Sequence, residues 1–227
     1  MTTWLKNTWA FILLANSCNA YAGVVVGGTR VIYPANNKEV SISVTNTEQK
    51  IPFVIQAWIE NERHTETSKV PFIITPPLFR LDPEQENTLR IVYVDGALPN
   101  DRETVYWLNA KAIPASKKTT ENRLHISINT RIKLFYRPTT LIADAASAYK
   151  KITFKTQQGK LIAHNSTPYY VSFATLAVGG INIEKPGMIA PMSSQAWDLP
   201  TGKKNNDVIW SAINDFGGVY PQEKVQL

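Results

Sequence analysis

The run "LHISINTRIKLFY", residues 124–136, constrains the fold of this chain more than any other segment. Its apolar side chains fall on alternate positions: Leu124, Ile126 and Ile128, then Ile132, Leu134 and Tyr136. Successive side chains of a strand point to opposite faces, so this spacing predicts a β-strand. Thirteen residues at about 3.4 Å each span about 44 Å, roughly twice the length of an ordinary strand of five or six residues. The run therefore has more apolar edge than its own sandwich needs. Arg131, Lys133 and Arg137 share the opposite parity. On pattern alone two readings stand: a solvated outer face, or a cationic site.

The rest of the chain repeats the strand signal. "EVSISVTN" alternates Val40, Ile42 and Val44, and "NTLRIVYV" alternates Leu89, Ile91 and Tyr93. "PFVIQAWIE" is apolar on both parities, with Val54 and Trp58 opposite Phe53, Ile55 and Ile59; this predicts a central strand covered on both sides. "YPANNKE", "TPPLFRLDP" and "DGALPND" supply turns between these runs. No long window carries helical spacing with caps. Seven or so short strands up to residue 142 predict an antiparallel sandwich of immunoglobulin type. "RPTTLIADAASAY" reads as a junction, and strands resume from "KITFKTQ". The expected fold class is all-β: two immunoglobulin-like sandwiches, residues 23–142 and 143–227.

Residues 1–22 are read as a secretory signal peptide cut before Gly23. Lys6 precedes the apolar run "WAFILLA", and "AYA" places small residues at the cut. The run is far shorter than the roughly twenty residues of a membrane span, so no membrane insertion of the mature chain is expected. Removing 22 of the 227 residues leaves 205 and takes away the only cysteine, Cys18. The mature protein then has neither disulfide nor cysteine–metal site and relies on its cores. The formal charge of +6 is scattered among acidic residues, which argues against a nucleic-acid footprint.

Catalytic constellations are missing from the sequence. His64 lies in a polar turn, His125 on the outer parity of the long run, and His164 before a turn. No pair has metal spacing, and neither a nucleophile elbow nor a phosphate loop is present. No enzyme activity, metal or cofactor is expected. "NST" at Asn165 has the form of a glycosylation sequon.

"TRIKLFYRP" resembles the signature of the periplasmic pilus-assembly chaperones of the chaperone–usher pathway. "TRVIYP", "PFVIQAWIENE", "ITPPLFRLDP", "LPNDRETVYWLNAKAIPA", "NSTPYYVSF" and "INDFGG" resemble further family segments in order. Ala110 stands where a larger aliphatic is usual, and the tail after "NDFGGVYP" is short, without the paired cysteines of some members. The brief "AIPASKKTTENR" loop resembles the short-loop subgroup.

The resemblance implies two immunoglobulin-like domains set at an angle around a cleft. It assigns Arg30 and Lys133 to the C-terminal carboxylate of a pilus subunit, with Thr29 beside them. It makes Leu124, Ile126 and Ile128 a donor strand for an incomplete subunit, while Ile132 and Leu134 stay in the chaperone's own core. Glu103, Arg137 and Asp215 form an ion network between the domains. The implied partners are pilus subunits and an outer-membrane usher, in the periplasm, with self-association through the long strand when free. The alternative is a secreted immunoglobulin-like adhesion module or a pilus subunit; a subunit should lack strands of its own sandwich.

Overall fold

The computed structural model describes residues 23–63, 68–94, 96, 98–116, 124–202 and 205–227. The proposed signal segment with Cys18, His64, and residues 117–123 of the loop before the long strand lie outside the described residues.

The first sandwich holds nine strands: β1 (Val24–Val26), β2 (Arg30–Pro34), β3 (Val40–Asn46), β4 (Phe53–Asn61), β5 (Phe72–Thr75), β6 (Leu78–Leu81), β7 (Glu86–Tyr93), β8 (Thr104–Pro114) and β9 (Ile128–Arg137). One sheet has the order β1-β3-β7-β5 and the other β2-β9-β8-β4-β6. Alternate residues of both sheets meet in the core, where Val44, Ile55, Leu89, Ile91, Leu108 and Leu134 are fully enclosed. Burying each such side chain contributes about 1.5–3 kcal/mol before ordering costs.

The first segment changes sheets, and the change shapes β9. β1 pairs antiparallel with β3 in one sheet. After Gly27 and Gly28 the chain enters the other sheet as β2, which runs parallel to β9. A Cβ on Gly27 at the crossover would meet Ser43 Oγ, so a larger residue there would force the serine hydroxyl aside. β2 meets β9 only from Lys133 to Arg137, whereas β8 pairs with β9 from Ile128 to Tyr136. Among the described residues, the edge of β9 before Lys133 therefore lacks a second neighbour.

The second sandwich comprises β10 (Ile152–Gln157), β11 (Lys160–Asn165), β12 (Val171–Val178), β13 (Ile181–Asn182), β14 (Met188–Ile189), β15 (Ser193–Asp198), β16 (Asp207–Ala212) and β17 (Glu223–Gln226). β10 and β11 are joined by Gln158 and Gly159, both at positive φ, which matches the right-handed twist of the flanking strands. Leu161, Leu176, Val178 and Val208 centre this core, and Trp210 Nε1 donates to Tyr149 O at 3.0 Å. The short tail forms an edge strand, with β17 paired to β16.

Several sequence expectations change here. β9 begins at Ile128, so residues 124–127 have no ladder partner among the described residues and the paired strand has ten residues. β4 is not covered on both faces: Val54 and Gln56 are exposed, because no layer packs against that part of the sheet. The junction contains two short 3-10 segments, Thr139–Leu141 and Ala145–Lys151. Asn165 is buried, and its side-chain amide donates to Tyr169 O and Ala190 O at 2.7 and 3.0 Å. Its sequon is closed to a sugar in the folded protein. His125 and His164 are exposed, and His164 pairs with the Ser194 hydroxyl.

Candidate binding cleft

The parallel pairing of β2 with β9 sets Arg30 opposite Lys133. Adjacent strands lie about 4.8 Å apart, and register partners project to the same side. Val31 and Leu134 turn into the first core, so Arg30 and Lys133 turn outward, toward the second sandwich. Two cations thus stand side by side at the junction of the domains.

Each is held by groups of both domains. Arg30 Nη1 donates to Ile213 O at 3.2 Å, and its guanidinium carbon lies 5.5 Å from the Phe135 ring centre. Lys133 Nζ lies 3.5 Å from Ser172 Oγ and 5.8 Å from the Trp107 ring centre. Arg131 covers the same indole at 4.1 Å and pairs with Glu60 at 2.8 Å. Neither Arg30 nor Lys133 makes an ion pair among the described residues, and Arg30 Nε is buried without a protein acceptor. Burial and the neighbouring Arg30 push the Lys133 ammonium below its ordinary pKa, against a smaller pull from Glu62. Burial likewise lowers Arg30, opposed by Asp215, Glu103 and Tyr220. A half-buried pair of like charges is a receptor for an anion, since an acceptor there relieves both desolvation and repulsion.

Four residues beyond Lys133 the same face of β9 carries Arg137. Its Nε donates to Glu103 Oε1 at 2.7 Å, and its two Nη atoms donate to Asp215 at 2.6 and 2.8 Å. Glu103 Oε2 accepts from Tyr170 N at 2.8 Å, and Glu103 N donates to Pro168 O at 2.9 Å. Arg137 and Glu103 are almost wholly enclosed, while the Asp215 side chain keeps 36 % of its exposure. Burial opposes the charge of Arg137, but Asp215 and Glu103 outweigh it, so its pKa rises. Burial pushes the Glu103 carboxyl up, against the pull of Arg137 and the Tyr170 N–H. The structure thus joins Glu103 and Arg137 of the first sandwich to Asp215 of the second. Thr29 lies against the same Asp215 loop, through Gly217.

Leu124, Ile126 and Ile128 are 86, 66 and 64 % exposed, whereas Ile132 and Leu134, on the same parity, are buried. The alternation continues past the point where the protein's own core ends. Ile126 and Ile128 border a small apolar opening with Val24, Phe53, Ala110 and Ala112. The small Ala110 helps to form that opening.

Sequence reasoning did not single out Ser172, the Ile213 carbonyl, the Tyr170 N–H or Trp107. Periodicity left Arg137 open between a solvated face and a cationic site; the second sandwich covers it together with Phe135, whose ring lies 5.7 Å from Tyr170. One signal was available: "KLFY" is apolar on both parities, as expected where a second layer covers the strand.

Comparison with known proteins gives one picture for both sandwiches. Residues 23–142 match the family described as pili and flagellar-assembly chaperone, PapD N-terminal domain, and residues 147–224 match the pili assembly chaperone PapD, C-terminal domain. The chain is similar to the chaperone protein FocC of Escherichia coli, with 40% identity covering 95% of each chain. The E. coli chaperone DraB superposes with a TM-score of 0.79 at 35% identity, covering 90% of this chain and 96% of that one. The Salmonella enterica structure of SafA pilin in complex with the SafB chaperone gives a TM-score of 0.81 at 33% identity, over 90% and 96% of the two chains.

Proposed function

Because the chain belongs to the pili-assembly chaperone family, a family of non-enzymatic chaperones, we propose that it captures pilus subunits by donor-strand complementation and passes them to an outer-membrane usher. The observation that carries this reading is the row Leu124, Ile126 and Ile128, exposed and in line with the buried Ile132 and Leu134, beside a β9 edge that β2 leaves unpaired. An incomplete subunit sandwich that accepts this row gains main-chain hydrogen bonds along the edge and fills its pockets with alternate side chains. Three aliphatics at about 1.5–3 kcal/mol each are a substantial drive before ordering costs.

Arg30 and Lys133 take the subunit's C-terminal carboxylate in this reading, with Thr29 beside them. The support is their shared register and face, their half-burial and their lack of an ion-pair partner among the described residues. Anchoring one terminus also sets register, and a one-residue slip would turn every donor side chain to the wrong face. The Glu103–Arg137–Asp215 network keeps the two domains at the angle that brings Ser172 and Ile213 against the cations. Residues 1–22 direct the chain to the periplasm and are removed before Gly23; N-terminal sequencing of the exported protein checks this.

The testing experiment co-expresses the chain with a subunit encoded beside it and purifies through a tag on the subunit. Lys133→Ala and Ile126→Asp are each expected to fold and to fail to co-purify. Wild-type recovery of both variants would overturn the reading.

A further inference from the structure

A loop of the second sandwich presents an aromatic side chain that the fold does not use. Phe216 is 97 % exposed, and Val219, three residues on, is 62 % exposed. Neither belongs to the second core. A solvated phenylalanine at a loop apex is unremarkable when the loop is loosely held. This loop is not.

Its base is closed by a bridge between Ile213 and Val219. Asn214 Oδ1 accepts from Phe216 N and from Gly218 N, each at 2.9 Å. Asn214 N donates to Gly218 O at 2.8 Å. Asp215 is clamped by both Nη atoms of Arg137. Gly217 has a φ of +85°, and a Cβ there would lie 2.5 Å from Thr29 Oγ1, so the backbone presses directly on the first sandwich. Ile213 O accepts from Arg30. The loop thus touches Thr29, Arg30 and Arg137 and is continuous with the cation pair. An aromatic side chain has few rotatable bonds and so loses little entropy on binding, and phenylalanine is enriched with the other aromatics in the buried core of interfaces.

We infer that Phe216, supported by Val219, is an apolar anchor for the subunit's C-terminal strand, packing on the side chains next to the carboxylate held at Arg30 and Lys133. This rests on the subunit-capture reading above and adds a contact from the second domain to it. The occupant is the subunit because the loop that carries Phe216 contacts Thr29 and Arg30 and so is continuous with the cation pair that takes the subunit's terminus in that reading. Grip on the client is then divided: charge and strand edge from the first sandwich, an aromatic contact from the second.

The test combines substitution with photo-crosslinking, using the co-expressed subunit as probe. Phe216→Ala is expected to leave thermal stability unchanged and to speed subunit dissociation by roughly tenfold or more, with Phe216→Tyr retaining most of the binding. Benzoylphenylalanine placed at position 216 is expected to crosslink to the last residues of the subunit. Crosslinking only to the usher or to a second copy of the chain, or dissociation unchanged in Phe216→Ala, would overturn the inference. Lys133→Ala separates the two levels. If it abolishes capture while Phe216→Ala does not alter it, the anchor is wrong and the capture reading stands. If Lys133→Ala captures like wild type, the capture reading itself fails.

Discussion

Arg30 and Lys133 stand opposite each other in a parallel ladder, each half-buried at the domain junction, and neither has an ion-pair partner among the described residues. Such an arrangement costs the free protein stability, because both charges are partly desolvated and repel each other. Lys133→Met removes one charge while keeping the stem. The expected result is a free protein more stable by about 0.5–2 kcal/mol that no longer captures subunits. Urea denaturation and co-purification read the two effects.

Capture is expected to weaken as pH rises into the alkaline range. Lys133 sits below its ordinary pKa through burial and Arg30, and a carboxylate partner favours its charged form. Deprotonation on the approach to that lowered pKa removes one of the two positive charges. Stability of the free protein moves the other way. A base depressed by folding binds its proton less tightly folded than unfolded, so stability rises with pH between the two pKa values. Dissociation constants and melting temperatures across pH should therefore diverge, and Lys133→Arg should flatten the loss of affinity.

The network around Arg137 gives unequal mutational costs. Glu103→Ala leaves the enclosed guanidinium and the Tyr170 N–H facing a void; removing one partner of a buried pair costs about 3–5 kcal/mol. Asp215 is more than a third exposed, so water compensates in part, and Asp215→Ala is expected to cost roughly 1–3 kcal/mol. Urea midpoints of the two variants give the order.

Along one strand, the same substitution logic should change sign of consequence between neighbours. Ile128→Asp alters an exposed side chain and should change stability by no more than about 0.5 kcal/mol while blocking capture. Leu134→Ala, six residues on and fully buried, should cost about 2–5 kcal/mol. Thermal melts beside co-purification yields separate the two classes.

The strands of both sandwiches were legible because period-two alternation is a local signal, and Pro, Gly and Asn mark the turns between. Leu124 to Leu134 shows the limit of that signal: the pattern is uniform, yet core burial begins only at Ile132. Where a core ends depends on which strands stand opposite, and that is not local. Arg137 shows the same limit from the other side. Its parity left a solvated face and a cationic site both open, and the partners that decide, Glu103 and Asp215, arrive from 34 and 78 residues away. The Ser172 and Ile213 contacts to the cations were illegible because they join two sandwiches with separate cores. Motif resemblance brought Arg30, Lys133, Glu103, Arg137 and Asp215 into view together; periodicity alone would have left them as scattered surface charges.

Amide hydrogen exchange over residues 124–127 tests the donor-strand account most directly. These residues have no ladder partner among the described residues of the single chain, so their amides should exchange as fast as an open chain. In the purified subunit complex the amides that face the subunit should become strongly protected, together with those on the open edge of β9 before Lys133. Protection already present in the free monomer, or fast exchange that persists in the complex, would contradict the claim that this segment completes the subunit's sandwich.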